Sequence, residues 1–130
     1  MTQHPFNPQG NLLGFYCDAR YGQTHARLWM ALDTGASLVT VAEARLAALG
    51  YDLANVTNMM PFGDASQSHT APCVTLDSFG IVGADEPDIA CLAYTLPPQH
   101  GVDGVIGLNY LRRFRRVTLD FDSGVLTLER

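Results

Sequence analysis

The sequence predicts an all-β domain carrying one or two short helices. Three observations lead there. Apolar runs of strand length alternate with Gly, Pro and Asp turn signals along most of the 130 residues. Helical spacing is confined to two short stretches. The order hairpin, apolar strand, Gly-containing loop, helix occurs twice, over residues 12–49 and again over 73–115. This is a repeat of organisation rather than of sequence, and it implies a pseudo-symmetric domain.

Residues 1–11, polar and broken by Pro5, Pro8 and Gly10, read as a flexible N-terminal arm ahead of a domain spanning 12–130. The mostly apolar run from Leu12 to Cys17 and the run "HARLWMAL" (25–32) flank the turn signal "ARYGQT". Together they predict a hairpin that delivers Asp33 at its far end. Thr40 and Glu43 have the spacing of a capping box, Ala42, Leu46 and Leu49 lie on one helical face, and Gly50 suits the stop. A helix is expected over about 41–49. Polar "PFGDASQSHTAP" (61–72) reads as an exposed hairpin tip. Residues 73–96 then read as strand, turn and strand, with "VGADEP" at the turn. "PPQHGVDG" is a loop and "VIGL" an apolar run. "NYLRRFRR" makes a helical turn with Leu111 and Phe114 on one side. Val117, Leu119 and Phe121 alternate with polar residues in a closing hairpin bent at Asp122, Ser123 and Gly124.

Composition narrows the function classes. Apolar residues make up 47% and charged residues 16%, so the chain can bury a core and is not of disordered composition. The net charge of −5 argues against a nucleic-acid partner. Cys17, Cys73 and Cys91 are an odd count without a CxxC pair, which reads as small core residues in a reducing compartment. His4, His25, His69 and His100 are scattered, so neither a metal site nor a cofactor is expected. No apolar run is long enough to span a membrane, and the first residues lack a signal-peptide pattern, so the expected location is cytoplasmic.

The chemistry concentrates in "LDTGAS" (32–37). Asp33 offers a carboxylate at the mouth of a rigid strand. Gly35 lets the backbone turn tightly, and its N–H, with the hydroxyl of Ser37, can orient that carboxylate. Thr34 can hydrogen-bond across to a neighbouring loop. Two such loops face to face would hold two carboxylates too close for both to ionise. One member then acts as base toward a water, the other as acid toward a carbonyl.

With "LDTGAS" at 32–37 and "DGVIGLNYL" at 103–111, the chain resembles the retropepsin-like aspartic proteases, the half-sized relatives of pepsin. The ordered pair agrees in spacing from about residue 12 to 128. The resemblance implies an acid-protease barrel and hydrolysis of a peptide or protein substrate, in a closed active site formed by a homodimer. It implies Asp33 as the catalytic residue, one from each subunit. Thr34, Gly35, Ala36 and Ser37 would support the loop, and Val105, Ile106 and Gly107 would pack behind it. It also implies a flap over the substrate, with Phe62, Gly63, Asp64 and Ala65 near its tip, and chain ends that pair in the dimer interface. The Tyr of pepsin-type flaps has no counterpart in this segment.

Other carboxylates compete for the second role. Asp122 sits in "DSG" but at a hairpin bend with no helix after it. Asp103 precedes "GVIG" and reads as a local hydrogen-bond partner or a substrate contact. Asp18 reads as an exposed strand end. "RRFRR" (112–116) reads as a solvated helix end, and Trp29 as core or interface packing. A non-catalytic binding or dimerisation module on the same scaffold is the alternative function.

Overall fold

A computed structural model describes residues 1–64 and 67–130, with side chains described outside 64–68. The chain folds as β1 (Thr2–Pro5), β2 (Gly14–Tyr21), β3 (Thr24–Leu32), β4 (Val39–Val41), α1 (Glu43–Leu49), β5 (Met59–Asp64), β6 (Gln67–Ile81), β7 (Glu86–Ala93), β8 (Gly104–Ile106), α2 (Leu108–Leu111), β9 (Arg116–Asp120) and β10 (Val125–Glu129).

Alternation drives the first hairpin. Phe15, Cys17 and Ala19 of β2 and Leu28 and Met30 of β3 point inward and are buried, while Tyr16 and Trp29 face out. Gly22, at φ 58, supplies the tight turn between the strands. The larger sheet runs β2-β3-β8-β4-β7-β6-β5. Its β2 also pairs with β6, so six of its strands close into a barrel. Closure leaves β5 as the free strand of a long hairpin with β6. The core inside includes Leu28, Met30, Val39, Val41, Leu46, Leu76, Ile89 and Ile106, each with no exposed surface. Tyr110 is equally buried, and its hydroxyl donates to Ala84 O (2.7 Å) while accepting the Ile81 N–H (3.2 Å).

The helix starts differently from the sequence expectation. Thr40 is buried in β4 and does not cap α1. The Glu43 N–H instead donates to Thr95 Oγ1 at 3.0 Å, a hydroxyl from a distant loop. The stop is as expected, with Gly50 left-handed at φ 117.

The first residues also differ. Thr2–Pro5 is a strand rather than a loose arm, paired with β10 in a separate sheet of order β1-β10-β9. Phe6 anchors it: its N–H donates to Gly124 O at 2.8 Å, and its ring packs edge-on against Phe15. The Pro and Gly content of the segment masked a pairing made entirely at long range. All three cysteines are buried and free, and burial pushes the Cys17 and Cys91 thiols well above their ordinary range. Among the described residues no helix is long and apolar enough to cross a membrane.

Candidate active site

Asp33 is the first residue past β3, whose last three residues pair in parallel with β8, Leu32 opposite Ile106. The strand's rigidity thus reaches to the base of the loop. The Asp33 N–H continues the ladder, donating to Ile106 O at 3.1 Å. Its carboxylate is exposed and accepts the Gly35 N–H on Oδ1 at 2.9 Å. A Cβ on Gly35 would sit 3.2 Å from that same oxygen, so the absence of a side chain keeps the donor close. Ala36 N–H donates to Asp33 O at 3.2 Å, closing the turn. Ser37 contributes its carbonyl, which accepts the Asn109 N–H at 3.1 Å.

The loop is braced from behind by the turn after β8. Leu108 N–H donates to Ala36 O at 2.8 Å. Asn109 works from both ends of its amide: Oδ1 accepts the Val39 N–H, and Nδ2 donates to Ala90 O, both at 2.8 Å. It therefore ties β4 to β7 just beyond the loop. Gly107 presses directly on the loop backbone. A Cβ there would lie 2.4 Å from Leu38 C and O. Ile106 is fully buried, whereas Val105 reaches the cleft itself.

That cleft, of about 570 Å³, runs between the loop and the β5–β6 hairpin. Asp33, Gly35, Ala36 and Ser37 form its floor. Met60, Pro61, Phe62 and Gly63 form its roof. Leu92, Tyr94 and Leu96 wall one side, with the Phe62 and Tyr94 rings 4.6 Å apart. Among the described residues, Asp33 supplies the one carboxylate lining it. The surroundings are apolar, which suits an aliphatic or aromatic side chain on whatever enters. Thr34 is exposed and turns away, lining a second groove with Leu32 and Leu108. Asp64 ends β5, and Ala65 lies outside the described residues.

The competing carboxylates are engaged elsewhere. Asp103 Oδ2 accepts the Trp29 N–H at 2.9 Å, and its Oδ1 lies 3.7 Å from Arg45. Asp122 sits in the β9–β10 turn, its N–H donating to Asp120 Oδ1 at 3.0 Å. Asp18 lies inside β2 rather than at its end. Burial alone would raise its pKa, but hydrogen bonds from Arg27 and His25 outweigh burial and hold it below the usual carboxylate range. Trp29 packs on Tyr16 on the outer face and covers Gly14, so it is not a core residue. Among the arginines of 112–116, Arg113 caps the carbonyls of Pro87 and Asp88, and Phe114 between them is buried. Among the described residues no group of three His, Cys, Asp or Glu side chains is placed to hold a metal ion.

Sequence reasoning missed Asn109, Tyr94, Leu92, Leu96 and Met60. Tyr94 had a usable signal. The sheet makes β7 and β8 the counterparts of β3 and β4, because β3 pairs in parallel with β8 just as β7 does with β4. The counterpart of the Asp33 loop is then 94–103. The hydrogen bonds agree: Tyr94 N–H donates to Val41 O at 3.1 Å, the mirror of Asp33 N–H to Ile106 O.

A family model described as "Aspartyl protease" matches residues 18–110. The crystal structure of a retropepsin-like aspartic protease from Rickettsia conorii is similar in fold, with a TM-score of 0.71 at 18% identity, over 98% of this chain and 90% of that one. No curated protein matches the sequence.

Proposed function

The chain belongs to the aspartyl protease family, and on that premise we propose that it is an aspartic endopeptidase acting as a homodimer. The observation that carries this reading is the Asp33 carboxylate, the one carboxylate lining the cleft among the described residues. It is oriented by the Gly35 N–H on the floor of an apolar cleft roofed by a β-hairpin. One carboxylate cannot be base and acid at once. A second copy of the chain supplies the other across a two-fold axis.

The two Asp33 side chains then share one proton. The ionised member takes a proton from a water, and the oxygen of that water attacks the scissile carbonyl. The protonated member gives its proton to the carbonyl oxygen, leaving a neutral tetrahedral diol. Collapse breaks the C–N bond, and the nitrogen leaves with a proton returned by the dyad. An extended peptide fits the cleft, with the β5–β6 hairpin as the flap that hydrogen-bonds its backbone. The apolar roof and wall favour apolar side chains beside the scissile bond. No metal or cofactor takes part in these steps.

Asp33→Asn tests the mechanism. Cleavage of denatured protein, followed by mass spectrometry of the products, is expected to fall by about 10³-fold with the fold and dimer mass unchanged. The native enzyme is expected to give a bell-shaped pH profile, because activity needs one proton on the pair. Cleavage retained by the Asn variant would overturn the dyad.

A further inference from the structure

Asp103 ends the loop that walls the cleft, and both its backbone and its side chain are engaged. Resting on the protease reading above, we infer that Asp103 and Arg45 are positioning residues for substrate choice. They clamp the 94–103 loop at a fixed distance from Asp33. That distance sets the size of the side chain accepted beside the scissile bond.

Three observations lead to this. First, the loop is a strap held at its two ends. At its start, Tyr94 N–H donates to Val41 O at 3.1 Å, and Thr95 Oγ1 accepts the Glu43 N–H at 3.0 Å. At its end, Asp103 N–H donates to Trp29 O and Asp103 O accepts the Ala42 N–H, both at 2.8 Å. The bonds between stay local, from His100 N–H to Pro97 O and from Gly101 N–H to Pro98 O, both at 3.1 Å. Both ends therefore fasten on the start of α1, where backbone N–H groups have no partner within the helix. Tyr94, at the first anchor, and Leu96, just beyond it, line the cleft.

Second, the Asp103 carboxylate spans two regular elements. Its Oδ2 accepts the Trp29 N–H at 2.9 Å, from the strand that delivers Asp33. Its Oδ1 lies 3.7 Å from Arg45 Nε on α1. The wall and the Asp33 carboxylate are thus referenced to one strand, β3.

Third, Arg45 is itself fixed. Its Nη2 donates to Arg27 O of β3 at 2.7 Å. A charged donor on a backbone carbonyl makes a strong bond, so the guanidinium holds its place. Its Nε is buried and makes no hydrogen bond to a described residue. A buried N–H in that condition calls for an acceptor or a counter-charge, and the Asp103 carboxylate supplies the charge.

Loss of the clamp lets the strap retreat. A small substrate side chain then loses contact with Tyr94 and Leu96, while a large one still reaches them. Asp103 does not line the cleft, so the chemical step is kept.

Two measurements on the full chain test the clamp. The first is amide hydrogen exchange, native against Asp103→Ala. The Trp29, Ala42 and Glu43 amides are expected to exchange about tenfold faster, with those of the β6–β7 pairing unchanged. Glu43 decides, because its partner Thr95 lies at the far end of the strap from the substitution. Faster exchange at Trp29 alone, or throughout β6–β7 as well, overturns the clamp. The second measurement uses two peptides identical but for Ala or Phe beside the scissile bond. Asp103→Asn keeps an acceptor for the Trp29 N–H but removes the charge facing Arg45. Arg45→Met removes the other member. Each is expected to move the kcat/KM ratio about tenfold toward Phe, mainly through KM, and the double variant no further than either alone. A ratio that stays put or moves toward Ala, or shifts that add in the double variant, overturns the clamp and leaves the proposed protease standing. A native chain that cleaves neither the peptides nor denatured protein overturns both.

Discussion

The loops 33–38 and 94–103 occupy the same place in two halves of one barrel, yet they do different work. Each leaves a strand that pairs in parallel with the strand ending the opposite half, and each begins with an N–H donated to that strand's last carbonyl. One loop begins with Asp33, the other with Tyr94, and both residues line the cleft. The first is short and braced along its length: Ala36 and Ser37 carbonyls are held by the turn at 107–109. The second is longer, turns at Pro98–His100 and presents Tyr94 and Leu96 as a wall. A single structural device has been used once to hold a carboxylate still and once to shape the space beside it. In the mechanism proposed above Asp33 is the reacting group, and such a group tolerates little displacement, whereas a wall needs only volume; the density of bracing follows that difference.

The bracing can be broken selectively. The largest effect on stability is expected at Gly107. Gly107→Ala forces a Cβ against Leu38 backbone, and the cost is about 3 kcal/mol by denaturant unfolding. Gly35→Ala meets only the Asp33 carboxylate, so stability is expected to change by less than about 1 kcal/mol. Its activity should nonetheless fall about tenfold or more, because the methyl displaces the carboxylate. If the two glycines lose stability equally, the division into reacting loop and brace is wrong.

Next comes Asn109→Ala. It removes the acceptor for the Val39 N–H and the donor to Ala90 O. About 2 kcal/mol of stability is expected to go, with kcat falling more than KM rises. The reverse pattern would make Asn109 a cleft residue rather than a positioning one.

Tyr94→Ala is expected to have the smallest effect on folding and to sharpen the contrast with Asp33. It should raise KM roughly tenfold for substrates with large apolar side chains, with kcat nearly kept. A kcat loss as large as that of Asp33→Asn would mean that the two loops share the chemistry.

Much of the site was legible because its signals are local. The Asp33 loop announced itself by residue type and by the apolar strand before it. Gly50 and the bend at Asp122–Gly124 announced themselves through turn chemistry. The misses share a different character. Thr40 and Glu43 have capping-box spacing, but β4 runs through Val41, where the helix was expected to start, and buries Thr40. The cap then comes from Thr95, which no local window contains. Asn109 looked like any polar residue on a short helix, since its amide partners lie 70 and 19 positions away. Tyr94 was hidden by a repeat aligned on glycine loops instead of on strand pairing.

The sequence by itself determined several local elements: the β2–β3 and β9–β10 hairpins, where their turns fall, and that one loop carries an orientable carboxylate. Those follow from alternation, from turn residues and from the short range of backbone sterics. Tertiary structure alone decided which strands pair, and so which loop faces Asp33, which residues wall the cleft, and that Thr2–Pro5 completes a sheet. Pairing choices depend on burying one face of every strand at once. That condition applies to the whole chain and is invisible in any short stretch of it.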